Sequence, residues 1–177
     1  MTKTKSNLDF RLMALSFRVR DFFRPREEIL KEVGIKPGFY ILDYGCGSGG
    51  YTIPAAQMGG EAGKIYALDI HPLAVQMVQG RAVKKKLTNI ETILSDCATG
   101  LPDQSLDVVL LYDTFHDLAE PDKVLAELHR VLKPEGVLSF NDHHLKDENE
   151  IILKITGNGL FQLSNKGKKV YNFHKIH

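Results

Sequence analysis

An apolar run, Phe39-Tyr40-Ile41-Leu42, ends at Asp43 and gives way to glycines at 45, 47, 49 and 50. Thr52 to Met58 then has helical character. The simplest structure for that order is a buried strand, a turn without side chains, and a helix whose free N–H groups face the turn. Glycine allows a left-handed backbone and lets a ligand come closer than a Cβ would permit. In open α/β sheets, such a turn at the carboxyl end of a parallel strand is where nucleotide-like ligands bind.

Two cofactor classes fit the turn. Gly45, Gly47 and Gly50 satisfy G-x-G-x-x-G, a weak dinucleotide signal by itself. With Asp43 the stretch also reads D-x-G-x-G-x-G, and the acid separates the two. A pyrophosphate seeks the bare positive end of a helix, so a carboxylate at the mouth of the turn repels it. A ligand carrying an ammonium or sulfonium is favoured there instead. On these residues the chain resembles the class I S-adenosylmethionine (SAM)-dependent methyltransferases of the ubiquinone/menaquinone-biosynthesis type. The similarity runs from about Lys31 to Val137. It takes in the Ile35-Lys36-Pro37-Gly38 turn before the first strand and Arg130-Val131-Leu132-Lys133-Pro134-Glu135-Gly136 before the fifth.

The resemblance implies an α/β fold: a Rossmann-like, doubly wound sheet of seven strands in the order 3-2-1-4-5-7-6, its last strand antiparallel. It implies S-adenosyl-L-methionine as cofactor, with Asp43 supporting the methionine end beside Tyr44, Gly45, Cys46 and Gly47. Asp69 closes the second strand, Lys64–Asp69, about twenty residues past the last motif glycine, where an acid receives ribose hydroxyls. Both cofactor classes use that contact, and an aspartate there can also simply cap the next helix. Ile70 is then expected against the adenine. By the resemblance, Asp96 takes the adenine amine and Cys97 offers its backbone N–H, after a third strand beginning at Ile90. Tyr112, at the end of the fourth strand, completes the expected cofactor set.

The rest of the chain bounds the reading. A length of 177 residues suits one domain with a real core, here residues 1–177. Residues 1–33 are expected as a helical segment or lid, and 34–177 as the Rossmann-like core. Leu8 to Phe23 has apolar residues at helical spacing with arginines between them. A net charge of +1 gives no argument for a nucleic-acid partner. No apolar run approaches the roughly 20 residues of a membrane span. A polar start and two cysteines, Cys46 and Cys97, without metal spacing point to the cytoplasm.

Asp107 to Asp113 is an apolar fourth strand without alternation, as for a strand covered on both faces. Lys133–Gly136 is expected as a turn into a fifth strand, and Asn165-Lys166-Gly167 as the turn of a final hairpin. His116, just past the fourth strand, is the first candidate for a catalytic base, with Asp113 and Asp117 in reach to tune it. His143 is the second. His143 and His144 are expected on opposite sides of an extended chain, and with Asp142 they make only a weak metal pattern, so no metal is expected.

The function expected is methyl transfer from SAM to a small-molecule acceptor by in-line displacement. The alternatives are an RNA or protein methyltransferase and a SAM-binding protein without catalysis. A NAD-dependent oxidoreductase would need a substrate domain, and only some forty residues follow the fifth strand. Acceptor and oligomeric state are not legible.

Overall fold

A computed structural model describes residues 6, 8–10 and 26–176. Most of the helix expected over Leu8–Phe23, and Pro25, lie outside these. From residue 26 the order is α1 (Glu27–Lys31), β1 (Tyr40–Tyr44), α2 (Thr52–Gly59), β2 (Lys64–Asp69), α3 (Pro72–Lys85) and β3 (Ile90–Leu94). There follow β4 (Leu106–Tyr112), a 3₁₀ turn (Phe115–Asp117), α4 (Pro121–Val131), β5 (Leu132–Asn141), α5 (Glu148–Thr156), β6 (Phe161–Lys166) and β7 (Tyr171–Lys175).

The seven strands form one sheet in the order β3-β2-β1-β4-β5-β7-β6. Pairing is parallel from β3 through β5, and β7 is antiparallel to both neighbours. The order and sense expected from the sequence are therefore present. Strand residues alternate between two covered faces, as the pleat requires. Leu42, Tyr44, Val109 and Leu111 pack with Val124, Leu125 and Leu128 of α4 and with Ile151 and Ile155 of α5. Ile41, Val108, Leu110 and Tyr112 pack on the other face with Ile29 and Leu30 of α1 and Ala55 and Ala56 of α2. Central strands buried on both sides account for their unbroken apolar sequence.

Two local readings shift. Lys133–Gly136 does not precede β5 but is an excursion within it: Leu106 pairs with Leu132 and Val108 with Val137. Pro134 has no N–H for a ladder, which suits it to such a bulge. In the hairpin, Asn165 and Lys166 pair with Asn172 and Tyr171, and the turn lies beyond them, closed by Gly167 N–H donating to Val170 O at 2.8 Å. At the end of β7, buried Lys175 donates to the carbonyls of His129 and Leu132, at 3.1 Å each. Those carbonyls terminate α4, where a cation is favourable.

The β5 excursion makes a test. A Cβ on Gly136 would stand 2.8 Å from Leu132 Cδ2 and 3.0 Å from the carbonyl oxygens of Leu106 and Lys133. Gly136→Ala is expected to lower unfolding free energy by about 1–3 kcal/mol, read from the urea midpoint; an unchanged midpoint would refute that packing.

Candidate active site

The glycine loop leaves β1 after Tyr44 and is held from the side by β2. Gly45 and Cys46 both donate their N–H to Leu68 O, at 2.8 and 2.9 Å, and Gly47 donates to Asp69 Oδ2 at 2.9 Å. The Asp69 Oδ1 atom accepts His71 N–H at 2.8 Å. Gly45 and Gly47 are glycines for different reasons. A Cβ on Gly45 would lie 2.1 Å from Thr114 Oγ1, so packing requires its absence. Gly47, also left-handed, has nothing within 4 Å of its missing Cβ, which leaves the backbone open to approach.

Asp43 shares a strand face with Ile41, and so meets the first residue of α2. Thr52 Oγ1 donates to its Oδ2 at 2.5 Å, and the residue is 2% exposed. Burial pushes the Asp43 pKa up to about 7; the Thr52 hydrogen bond opposes this, and the nearby Asp69 adds to it. Asp69 is also raised, by burial first, against the N–H groups of His71 and Gly47. Cys46 is buried, and burial followed by Asp43 and Asp69 drives its thiol well up, so it is no nucleophile.

The other residues assigned to the cofactor lie around this edge in different ways. Tyr44 is buried and its hydroxyl donates to Asp96 O at 3.0 Å, tying the exit of β3 to the loop. Ile70 and Cys97 are half-buried and the Asp96 side chain is exposed. Tyr112 turns its ring into the core, edge-on to Tyr51 at 4.7 Å, with its hydroxyl 2.7 Å from Ser139 Oγ. Phe10 stacks on His71 at 4.3 Å and so lies over the start of α3, next to Asp69.

Both candidate bases sit where β4 and β5 end. Asp142, which the sequence offered only as part of a weak metal pattern, is the partner of His116. Its carboxylate accepts the backbone N–H of His116 at 3.1 Å and of His144 at 3.0 Å, and lies 2.9 Å from the ring Nδ1 of His116. Its side chain is fully buried. Burial alone would raise its pKa, but the His116 ring and the two N–H groups outweigh it, and the carboxyl is held below its ordinary value. Asp113, expected to tune His116, instead lies 2.7 Å from His143 Nδ1, while Asp117 Oδ2 is 3.5 Å from His116 Nε2. The rings of His143 and His144 are 4.1 Å apart rather than on opposite sides. The chain there is a turn, closed by Leu145 N–H on Asp142 O, not a strand. Thr52 and Thr114 were missed; nothing in a linear pattern marks a hydroxyl that meets Asp43 or Gly45 only after folding.

A family model described as a methyltransferase domain matches residues 35–174. The chain belongs to that family. The match covers the glycine loop, both candidate bases and the terminal hairpin. A crystal structure of a SAM-dependent methyltransferase from Aquifex aeolicus is 30% identical, with a TM-score of 0.76 over 89% of this chain and 96% of that one. A demethylmenaquinone methyltransferase from Lactobacillus johnsonii is 32% identical over 117 residues, 63% of this chain and 46% of that protein. The ubiquinone/menaquinone biosynthesis C-methyltransferase UbiE of Paraburkholderia phymatum is 30% identical over 116 residues, 63% of this chain and 47% of that protein. The chain thus spans about half the length of these two relatives. Among the described residues no helix is long and apolar enough to cross a membrane.

Asp43 has a thermodynamic signature. The folded protein keeps a proton there that the unfolded chain releases near pH 4, so this group's contribution to stability falls as pH rises towards about 7 and then levels. Asp43→Asn removes that slope. The stability of the variant relative to the parent should therefore increase from pH 5 to pH 8, by on the order of a few kcal/mol, in urea unfolding without ligand. Parallel pH curves for the two proteins would refute the buried acid.

Proposed function

We propose that the chain is a SAM-dependent methyltransferase that passes the methyl group to a small-molecule acceptor by in-line displacement. The observation that carries this reading is the buried Asp43 beneath an open glycine loop: burial lifts its pKa to about 7, and a cationic ligand nearby would stabilise its ionised form. The other residues fit the same ligand. Gly47 leaves the backbone approachable, and the two N–H groups of Gly47 and His71 do not exhaust the acceptor capacity of Asp69, so it can still receive a ribose hydroxyl. Ile70, Asp96 and Cys97 flank the position for the adenine.

SAM supplies a methyl group already activated on a sulfonium, leaving the protein to align the acceptor, exclude water and, for a protic acceptor, remove a proton. His116 is suited to the last task. With Nδ1–H donated to Asp142, its Nε2 carries the lone pair, and Asp117 stands ready to stabilise a proton taken up there. His143, 53% exposed and paired with Asp113, is the second candidate. Two free cysteines, one of them buried, support a cytoplasmic setting. The fold alone assigns no reaction.

Calorimetry should show binding of SAM and S-adenosylhomocysteine and none of NAD, with SAM affinity reduced about 10- to 100-fold in Asp69→Ala, of order 1–3 kcal/mol. Binding of NAD alone would overturn the cofactor. With labelled SAM and cell extract, label should enter the metabolite fraction, not RNA or protein. For a protic acceptor His116→Ala should lower kcat by about 10²- to 10⁴-fold; full activity would remove His116 from the chemistry.

A further inference from the structure

The edge where β4 and β5 end holds more ligating atoms than one proton transfer needs. One carboxylate oxygen each from Asp113 and Asp142 and one ring nitrogen of His143 lie within 4.8 Å of one another. Asp142 is fully buried, and its one ion-pair partner among the described residues is His116, which is cationic only when protonated. An ionised carboxylate out of water is costly without a positive charge beside it. The ring of His144 lies 3.9 Å from that of His116, centre to centre, and so lines the same cluster.

We propose that Asp113, Asp142 and His143 bind a first-row divalent cation. Ligand atoms about 2.0–2.2 Å from such an ion stand roughly 3–4 Å from one another, so small side-chain rotations complete the set. Two carboxylates with one imidazole form a donor set of intermediate hardness: the imidazole suits zinc and iron, and the carboxylates suit manganese and magnesium. The scaffold is already fixed. The N–H groups of His116 and His144 and the His116 ring hold Asp142, as ligating carboxylates are held in known metal sites. Asp113, at φ 51°, donates its own N–H to Asn141 O at 2.8 Å. The ion takes the place of the proton now shared between His143 Nδ1 and Asp113. Three protein ligands leave positions open for water or for an oxygen of the acceptor, as in catalytic rather than structural metal sites. Binding of the ion is independent of the proposed reaction; only its use there rests on that reading. The sequence reading weighed only Asp142 with His143 and His144, a weak pattern, and expected no metal; Asp113 stands some thirty residues from the pair it joins.

The test is calorimetry of the chelator-treated 177-residue chain with Zn²⁺, Mn²⁺ and Mg²⁺, without cofactor, with the fold of each variant checked by circular dichroism. One ion per chain is expected, Zn²⁺ binding tighter than Mn²⁺ and Mn²⁺ tighter than Mg²⁺. Affinity should fall at least tenfold in both Asp113→Asn and His143→Ala, and stay unchanged in His129→Gln on α4. Spin-echo spectra of Mn²⁺ on the parent protein should show one imidazole nitrogen, a readout that needs no variant. No binding below millimolar ion, affinity indifferent to both substitutions, or spectra without nitrogen coupling would overturn the site. SAM titrated into the same samples separates the outcomes: failure to bind SAM sinks the proposed function and leaves the metal result standing.

Discussion

Three successive N–H groups of the glycine loop are held by the second strand. Those of Gly45 and Cys46 converge on the Leu68 carbonyl, and that of Gly47 is taken by the Asp69 carboxylate. The loop is therefore built by the parallel pairing of β1 with β2, in which Tyr44 stands opposite Leu68. A one-residue slip would carry Asp69 to the other side of the sheet and leave Gly47 without its acceptor. The same register thus sets the loop's shape and the position of Asp69.

The carboxyl edge that results divides by electrostatics. Burial raises both Asp43 and Asp69, against one Thr52 hydroxyl at the first and two N–H groups at the second. Asp142 is also buried, but a histidine ring and two backbone N–H groups hold its carboxyl below the ordinary value. Acids pushed in opposite directions within one edge suit different tasks. In the proposed reading the first pair receives a cationic cofactor, while Asp142 orients His116 and shares in holding an ion.

How far the sequence could be read followed the range of each interaction. The strand before Asp43, the glycine turn and Asp69 about twenty residues on were legible, because each is written in one contiguous stretch. The partner of His116 was not. Asp113 and Asp117 are its near neighbours in the chain, whereas Asp142 reaches it only because β5 lies beside β4. His143 and His144 were misjudged for a related reason: strand alternation was extended past the end of β5, where the chain has already turned. The Lys133–Gly136 excursion likewise depends on how β5 pairs with β4, not on its own residues.

The sequence alone marked the place of the glycine loop and, through its resemblance, the fold class. Apolar periodicity, glycine spacing and an acid at a strand end are local properties that survive in a linear reading. The tertiary structure decided which carboxylate meets which histidine, which hydroxyl covers Asp43, and that Asp113, Asp142 and His143 share one corner. Those contacts join residues brought together by strand order, and no spacing along the chain encodes a distance across a sheet.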